Sequence, residues 1–384
     1  MHRAGSRFLV AVALSVAMVV LIGATAVAAT PGLRSSHSTV SGAAGSNPQD
    51  GRARPLKVLL IYDLEGVTAA SVPRDVQFVG EGYPGVRESL TEDVNAAIRG
   101  LLKAGASEVV LTDGHASGNP DPDYLIERLP PGARFEARDT PYDPYIGVLD
   151  RSFAAVVGIG MHSGSGRKGN LAHTLTGHTK WIVGEYDLNE TMIIAGLASR
   201  FSVPVILVTG DDVLREEVMG FSPRTRYVTV KKALGVEKSE PRPRDVVTAD
   251  IEAAATEALR NRADVKPWTP PAIKGPVDNV FAYMFPEMAL VAVNYPGAEA
   301  VNNKSIRLRT ASFYDGYLTF RALAVFAGLA TQRMILGWIR EVDGGADVYQ
   351  RAHARWPTRD QRTFIPTAPG IDRTAAGMGR YGAR

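Results

Sequence analysis

The stretch that decides the fold is KVLLIYDLEG, residues 57–66, in which an apolar run is followed at once by two carboxylates. A short run that is apolar on both faces is typical of a strand covered on both sides, as in a parallel sheet. Because Asp63 and Glu65 are two residues apart, their carboxylates point the same way if the extended conformation persists. The stretch therefore predicts a buried strand with two acidic side chains at its carboxyl end.

Three further runs have the same character: EVVL (Glu108–Leu111), FAAVVGI (Phe153–Ile159) and PVILV (Pro204–Val208). Helical segments are predicted between and after them. The first is predicted to start at a capping box at Ser89–Glu92, and the second to start after Asn189 and run to about Arg200. Two more are predicted near Asp250–Arg262 and Tyr317–Arg340. Strands that alternate with helices predict an α/β fold, with a parallel-rich central sheet flanked by helices.

The chain beyond residue 225 has a different pattern. The runs VFAYMF and ALVAVNY, within Asn279–Leu308, predict two strands that pair as a hairpin. We therefore expect one folded unit over residues 56–341, with an α/β part at about 56–225 and a smaller C-terminal α+β part at about 226–341. The basic segment Lys304–Arg309 is expected either to line a substrate channel or to form the solvent side of an edge strand.

The two ends of the chain are predicted to serve targeting. Arg3 and Arg7, the apolar run Phe8–Ile22 and the small-x-small sequence Ala26-Val27-Ala28 are typical of a cleaved signal peptide, residues 1–28 or 1–29. An uncleaved membrane anchor is the alternative. Residues 30–55 read as a flexible linker and residues 342–384 as a flexible tail. We expect a secreted or extracytoplasmic protein, with no stable membrane partner after cleavage.

Composition narrows the class of protein. The chain has 384 residues, 45% of them hydrophobic, which excludes a disordered protein. The formal net charge falls from +3 to +1 once Arg3 and Arg7 are removed, so no nucleic-acid partner is expected. The absence of cysteine excludes thiolate metal sites and cysteine nucleophiles.

Polar side chains follow each predicted strand. The sequences are Asp63-Leu64-Glu65, Asp113-Gly114-His115, Gly160-Met161-His162 and Gly210-Asp211-Asp212. Ligands of open parallel sheets bind beyond the carboxyl ends of the strands, where these groups would meet. Each alone is more typical of a turn or a helix cap, and Asp211 and Asp212 are interpreted in that way. Together, carboxylates and imidazoles without sulfur favour an open Zn²⁺, Mn²⁺ or Fe²⁺ site.

Several segments also resemble the DppA-type D-aminopeptidase family. They are LLIYDLEGVTA, VVLTDGHASGN, VVGIGMHSGSG, NLAHTLTG, YDLNETMIIAGLASRFSVPVILVTGDD and, more weakly, NYPGAEAVNNKSIRLR. Their order and spacing agree with the family from about Lys57 to Ala327. Family members assemble into self-compartmentalised rings, so the resemblance implies a homo-oligomer.

The resemblance implies a centre with two Zn²⁺ ions per subunit. The matching metal ligands are Asp63, Glu65, His115, His162 and Glu190, with Asp63 at the position that bridges both ions. His173, in the sequence Ala172-His173-Thr174, matches the catalytic histidine, as nucleophile, proton carrier or oxyanion donor. Without the resemblance, Glu190 would be interpreted as a carboxylate at a helix start. His178 has no matching role and is expected to bind substrate or to lie in a loop.

The predicted function is that of a secreted zinc-dependent aminopeptidase. It would release N-terminal residues, expected to be D-amino acids, from short peptides such as those shed from peptidoglycan. The alternative is a dinuclear metal hydrolase acting on L-peptides, amides or phosphoesters. A non-catalytic peptide-binding protein is disfavoured, because the ligand set and the histidine are complete.

Overall fold

A computed structural model describes residues 56–136, 145, 147–339, 341 and 344–347. The predicted signal peptide and linker, and nearly all of the predicted tail, lie outside these residues. Within the described part, no helix combines the length and the apolar character needed to cross a membrane.

Strands in the described part of the chain form two sheets. They are β1 (Lys57–Tyr62), β2 (Glu108–Asp113), β3 (Ala133–Phe135), β4 (Phe153–Ile159), β5 (Thr179–Val183), β6 (Tyr186–Leu188), β7 (Val205–Asp211), β8 (Arg226–Gly235), β9 (Lys238–Pro241), β10 (Val277–Tyr283), β11 (Glu299–Asn302) and β12 (Ser305–Thr310). The first sheet has the order β3-β2-β1-β4-β7-β8-β9 and is parallel throughout except for the β8–β9 pair. The predicted α/β class with a parallel-rich sheet is confirmed.

Helices cover both faces of the first sheet. They are α1 (Tyr83–Lys103), α2 (Glu190–Ser199), α3 (Asp212–Phe221), α4 (Arg244–Arg260), α5 (Pro286–Ala292) and α6 (Phe313–Ile339). On one face, α1 and α4 pack on alternate strand residues such as Val58 and Leu60. On the other face, α2, α3 and the second sheet pack on Leu59 and Ile61. Because both faces are covered, β1 is apolar along its whole length, as the sequence predicts.

Two local predictions are wrong. The helix predicted to begin at Ser89 begins at Tyr83, with Gly82 at its N-cap, and Ser89 is buried within α1. The run ALVAVNY is not a strand, because Pro286–Ala292 forms α5, with Pro286 in its first turn. Proline is well suited to the first turn of a helix, where its missing N–H has no intrahelical acceptor.

The second sheet is antiparallel, with the order β11-β12-β10-β5-β6. It is anchored by the buried Trp181 of β5, whose ring stacks on Phe313 of α6 and whose Nε1 donates to Asn279 Oδ1 at 3.0 Å. Each sheet takes strands from both sides of residue 225, so the two predicted parts share both sheets. The predicted partner of the VFAYMF strand is replaced by β12 and β5.

The basic segment at residues 304–309 covers all of β12 except its last residue. This strand lies between β10 and β11 rather than at the edge of the sheet. Arg307 and Arg309 are exposed on this strand, and Arg309 Nε lies 3.9 Å from Asp278 Oδ1 of β10. The basic side chains therefore face solvent on an internal strand.

Candidate metal centre

Neighbouring parallel strands bring four of the six predicted site residues together. Asp63 and Glu65 follow β1, while His115 and His162 follow β2 and β4, the two strands that flank β1. Glu190 is the first residue of α2. These five side chains are at least 94% buried. The sixth residue, His173, lies between β4 and β5, and 23% of its side chain is exposed.

The turns that follow β1 and β4 are in close contact. The amide of Asp63 donates to Ile159 O at 2.8 Å, and that of Gly66 donates to Gly160 O at 2.7 Å. A Cβ atom on Gly66 would lie 1.9 Å from the carbonyl oxygen of Met161, so only glycine fits there. This contact sets the distance between the carboxylates after β1 and the histidine after β4.

His115 faces two carboxylates. Its Nδ1 lies 3.0 Å from Asp63 Oδ1 and 3.0 Å from Glu65 Oε2, while its Nε2 lies 2.9 Å from Val76 O. Because a carbonyl oxygen only accepts hydrogen bonds, Nε2 carries the hydrogen of that bond. A neutral His115 would then direct the lone pair of Nδ1 at two anionic groups. This arrangement needs a cation between them, either a proton or a metal ion.

His162 forms the opposite half of the centre. Its Nδ1 donates to Ser163 O at 3.0 Å, which leaves Nε2 facing Asp63 Oδ2 at 3.4 Å and Glu190 Oε1 at 3.5 Å. Asp63 therefore directs one oxygen towards His115 and the other towards His162. The carbonyl partners orient both imidazoles, as is usual for metal-bound histidines.

His173 lies at the open side of the centre. Its ring stacks on that of His162, with centroids 4.0 Å apart and an interplanar angle of 11°. Its Nδ1 donates to Leu171 O at 2.8 Å, so Nε2 carries the lone pair and lies 3.9 Å from Glu190 Oε1. Leu171 and Leu175 have φ angles of 56° and 60°, which are costly for residues other than glycine. Leu175 N donates to Glu190 Oε1 at 2.8 Å, so this backbone helps to hold Glu190.

The charges of the centre shift one another's titration. Burial alone would raise the pKa of Asp63, but the hydrogen bond from His115 and the charge of His162 hold it well below its usual range. Burial would lower the pKa of both histidines, but the charge of Glu65 raises that of His115 and the charge of Glu190 raises that of His162. The pKa of Glu190 is lowered, because the charge of His162 outweighs the effect of burial.

The residues fit a metal ion. Glu65 Oε2 and His162 Nε2 are buried, and in the described part of the chain each faces only other members of the centre, with no hydrogen-bond partner outside it. Two groups, Asp63–Glu65–His162 and His162–His173–Glu190, have donor atoms within 4.8 Å of one another. Oxygen and nitrogen donors with a partly open side suit Zn²⁺. Burying a cluster of this kind costs folding free energy unless a cation neutralises its carboxylates.

Residues outside the predicted set also support the centre. Glu217 of α3 accepts from Gly164 N at 3.1 Å and from Asn189 Nδ2 at 3.0 Å, which ties the loop after His162 to the start of α2. Tyr145 is buried beside Glu190, and burial together with the charge of Glu190 raises its pKa well above the usual range. Neither residue belongs to a pattern that the sequence alone distinguishes.

The structure also places Asp211, Asp212 and His178, the polar residues that were not assigned to the centre. Asp211 caps α3, because its Oδ1 accepts from Leu214 N at 2.8 Å, and Asp212 Oδ1 accepts from Ala233 N at 2.7 Å. Their interpretation as structural residues is confirmed. His178 precedes β5, with its ring centroid 5.8 Å from that of Phe285, and burial lowers its pKa.

Comparison with known proteins agrees with this geometry. The profile of the family described as D-aminopeptidase matches residues 56–322. The D-aminopeptidase of Bacillus subtilis (strain 168) is 27% identical over 224 residues, which cover 56% of this chain and 78% of that protein. The solved structure of the Zn-dependent D-aminopeptidase DppA from Bacillus subtilis, described as a self-compartmentalizing protease, has a TM-score of 0.66 at 22% identity. That match covers 71% of this chain and 98% of the other, and it shows that the fold is shared.

Proposed function

The chain belongs to the D-aminopeptidase family and is therefore a hydrolase, and from that premise we propose that it is a zinc-dependent aminopeptidase that removes N-terminal D-amino acids from short peptides. The observation that carries the proposal is the position of Asp63. Its two carboxylate oxygens face two different histidines, each of which has a second carboxylate beside it. This is the arrangement expected of a residue that bridges two metal ions.

Each half of the centre has its own ligands. Asp63, Glu65 and His115 would hold one Zn²⁺, and Asp63, His162 and Glu190 would hold the other. When bound, such ions supply Lewis-acid polarisation of the scissile carbonyl and lower the pKa of water to about 7. The backbone carbonyls of Val76 and Ser163 keep both histidines in the tautomers that leave a nitrogen free for metal.

His173 would transfer the proton from the attacking water to the leaving amine. Its Nδ1 hydrogen is engaged by Leu171 O, so the neutral ring has no hydrogen at Nε2 and cannot donate to an oxyanion from that atom. Nε2 can instead accept the proton of an attacking water and pass it to the leaving amine. The stacked ring of His162 and the carboxylate of Glu190 orient it. His173 is also the most exposed of the six residues, so the substrate would approach from its side.

We further propose that the protein is secreted and acts as a homo-oligomer. Residues 1–29 support secretion by their charge and apolar pattern, and peptides shed from peptidoglycan are a source of D-amino acids outside the cell. The relative described as self-compartmentalizing supports assembly into a closed oligomer. An enclosed chamber would restrict the substrates to short peptides.

The test is amine release from D-Ala-D-Ala and L-Ala-L-Ala by the mature protein, first zinc-loaded and then treated with chelator. We expect cleavage of the D-dipeptide that chelation abolishes. Asp63→Ala should lose both activity and tight zinc binding, because both halves of the centre use this carboxylate. Wild-type zinc content in Asp63→Ala would refute the bridging role. Cleavage of neither dipeptide by zinc-loaded enzyme would reject the substrate class and favour another metal hydrolase activity.

A further inference from the structure

A buried lysine holds the backbone that carries Glu65. Lys231 lies on β8 and is fully buried. Its Nζ donates to Glu65 O at 2.5 Å and to Ala70 O at 2.6 Å. Burying an ammonium costs several kcal/mol of hydration, so its presence beside the candidate centre requires a compensating role.

The two carbonyls are at the two ends of one short loop. Residues 65–70 follow β1, and the Lys231 ammonium bridges the first and last carbonyl oxygens of this segment. The opposite side of the loop is held by the bond from Gly66 N to Gly160 O and by the close approach of Gly66 to Met161. The loop is therefore clamped between β8 and the turn that precedes His162.

The clamp acts on the backbone, whereas the Glu65 side chain is free to point into the centre. Glu65 Oε2 faces His115 Nδ1 at 3.0 Å. The position of this carboxylate relative to His115 depends on the backbone of Glu65, and that backbone is bonded to Lys231.

We propose that Lys231 is a positioning residue for Glu65, which holds the loop so that the carboxylate and His115 are prepared to bind the same metal ion. The inference rests on the proposed zinc site. Without the ammonium, Glu65 O would lose this donor and Ala70 O would keep only the longer bond from Ser239 Oγ at 3.3 Å, so the loop would relax at its Glu65 end. The half of the centre that contains Glu65 would then bind metal more weakly, while the half that contains Glu190 would be unaffected.

The experiment compares Lys231→Met with Lys232→Met. Methionine matches the lysine side chain as far as Cε and removes the donors, and Lys232 is the next residue on the same strand but is exposed. Zinc affinity of the folded, zinc-free proteins is measured by competition with a chromophoric chelator. Hydrogen exchange of the amides in residues 66–70 reports the loop directly.

We expect Lys231→Met to lower the affinity for one of two zinc ions by about 10- to 100-fold, as is typical when a residue supporting a metal ligand is removed. Hydrogen exchange of the loop amides should become faster. Lys232→Met should match the wild type. Lys231→Gln keeps N–H donors on a neutral side chain and should recover part of the affinity. It is also the deciding variant if Lys231→Met does not fold.

The outcomes separate this inference from the function on which it rests. Equal zinc affinity and equal exchange in Lys231→Met and the wild type would overturn the positioning role. Failure of both Lys231 variants to fold would also overturn it, because the residue would then serve the stability of the whole domain. If the wild type and Lys232→Met bind no zinc, the proposed metal centre itself fails.

Discussion

The replacement of Asp93 by asparagine should stabilise the protein strongly at pH 8 and only weakly at pH 4.5. Asp93 lies in α1 and is 1% exposed, and neither of its carboxylate oxygens has a hydrogen-bond partner in the described part of the chain. The charge of Arg244 acts on Asp93, but its guanidinium donates hydrogen bonds to Glu92 and to Ser89 O instead of to Asp93. Burial therefore raises the pKa of Asp93 to about 7, with Arg244 opposing the rise and Glu92 adding to it.

The sign and the magnitude follow from proton linkage. Between pH 4 and pH 7 the folded protein keeps the Asp93 proton and the unfolded chain releases it, so the free energy of unfolding falls as the pH rises. A rise from 3.8 to about 7 at 1.36 kcal/mol per pKa unit gives a cost of about 4 kcal/mol at pH 8. At pH 4.5 the same relation gives about 1 kcal/mol. Asparagine carries no charge, so Asp93→Asn removes this cost.

The assay is urea unfolding of the zinc-free protein at both pH values, reported as the variant minus the wild type. The histidines titrate in both proteins, so their contributions cancel in this difference. Asp278→Asn is the matched control, because Asp278 is exposed and lies 3.9 Å from Arg309. An exposed pair of this kind contributes at most about 1 kcal/mol. A gain from Asp93→Asn that is the same at pH 4.5 and pH 8, or absent at pH 8, would refute the buried-carboxylate explanation.

Three further predictions concern the metal centre. His173→Ala should lose peptide cleavage by about 100-fold or more while keeping both zinc ions, and loss of zinc in that variant would make His173 a ligand instead. Gly66→Ala, whose methyl group would lie 1.9 Å from Met161 O, should displace the loop by about 1 Å and lower kcat by about 100-fold. Gly85→Ala, with nothing within 4 Å, should leave kcat unchanged, and equal kcat values in the two variants would contradict the packing explanation. Finally, the carboxylates raise the pKa of both ligand histidines, and zinc binding must release their protons. Zinc affinity measured at pH 6, 7 and 8 should therefore increase with pH, and a flat profile would exclude this competition.

The buried strands can be predicted because their environment requires a recognisable pattern in the local sequence. A parallel strand covered on both faces is apolar along its length, so β1 and β4 were predicted with their observed bounds. The strands β5 and β6 were missed, because they are short and half-polar. The strand that joins β5 and β6 to the rest of the second sheet is β10, which starts only at Val277, so no local sequence pattern near residue 180 indicates the pairing. The sequence wrongly predicts a strand at α5, because periodicity alone does not distinguish a short buried strand from a short helix.

The residues of the candidate site also fall into two groups, those whose position the sequence pattern predicts and those whose position it does not. Asp63, Glu65, His115 and His162 follow adjacent strands, so their convergence can be predicted from the topology of a parallel sheet. Glu190 and His173 do not lie at the ends of strands of that sheet, and their roles are implied only by the family resemblance. Lys231 could not be predicted, because a lysine beside Lys232 near a strand end is typical of a solvent-exposed position. Its burial depends on the loop after β1, which folds over it from about 160 residues away.

The hairpin β5–β6 has a consequence for biosynthesis. It lies in the chain between His173 and Glu190, yet its sheet is completed only by β10, β11 and β12, the last ending at Thr310. At the usual rate of translation, Thr310 is made roughly 6 to 24 s after Glu190. During that interval a nascent chain has every predicted ligand but not the sheet that supports the segment between two of them. We therefore expect peptidase activity to begin only when synthesis is nearly complete, so that an emerging chain is catalytically silent towards peptides around the ribosome.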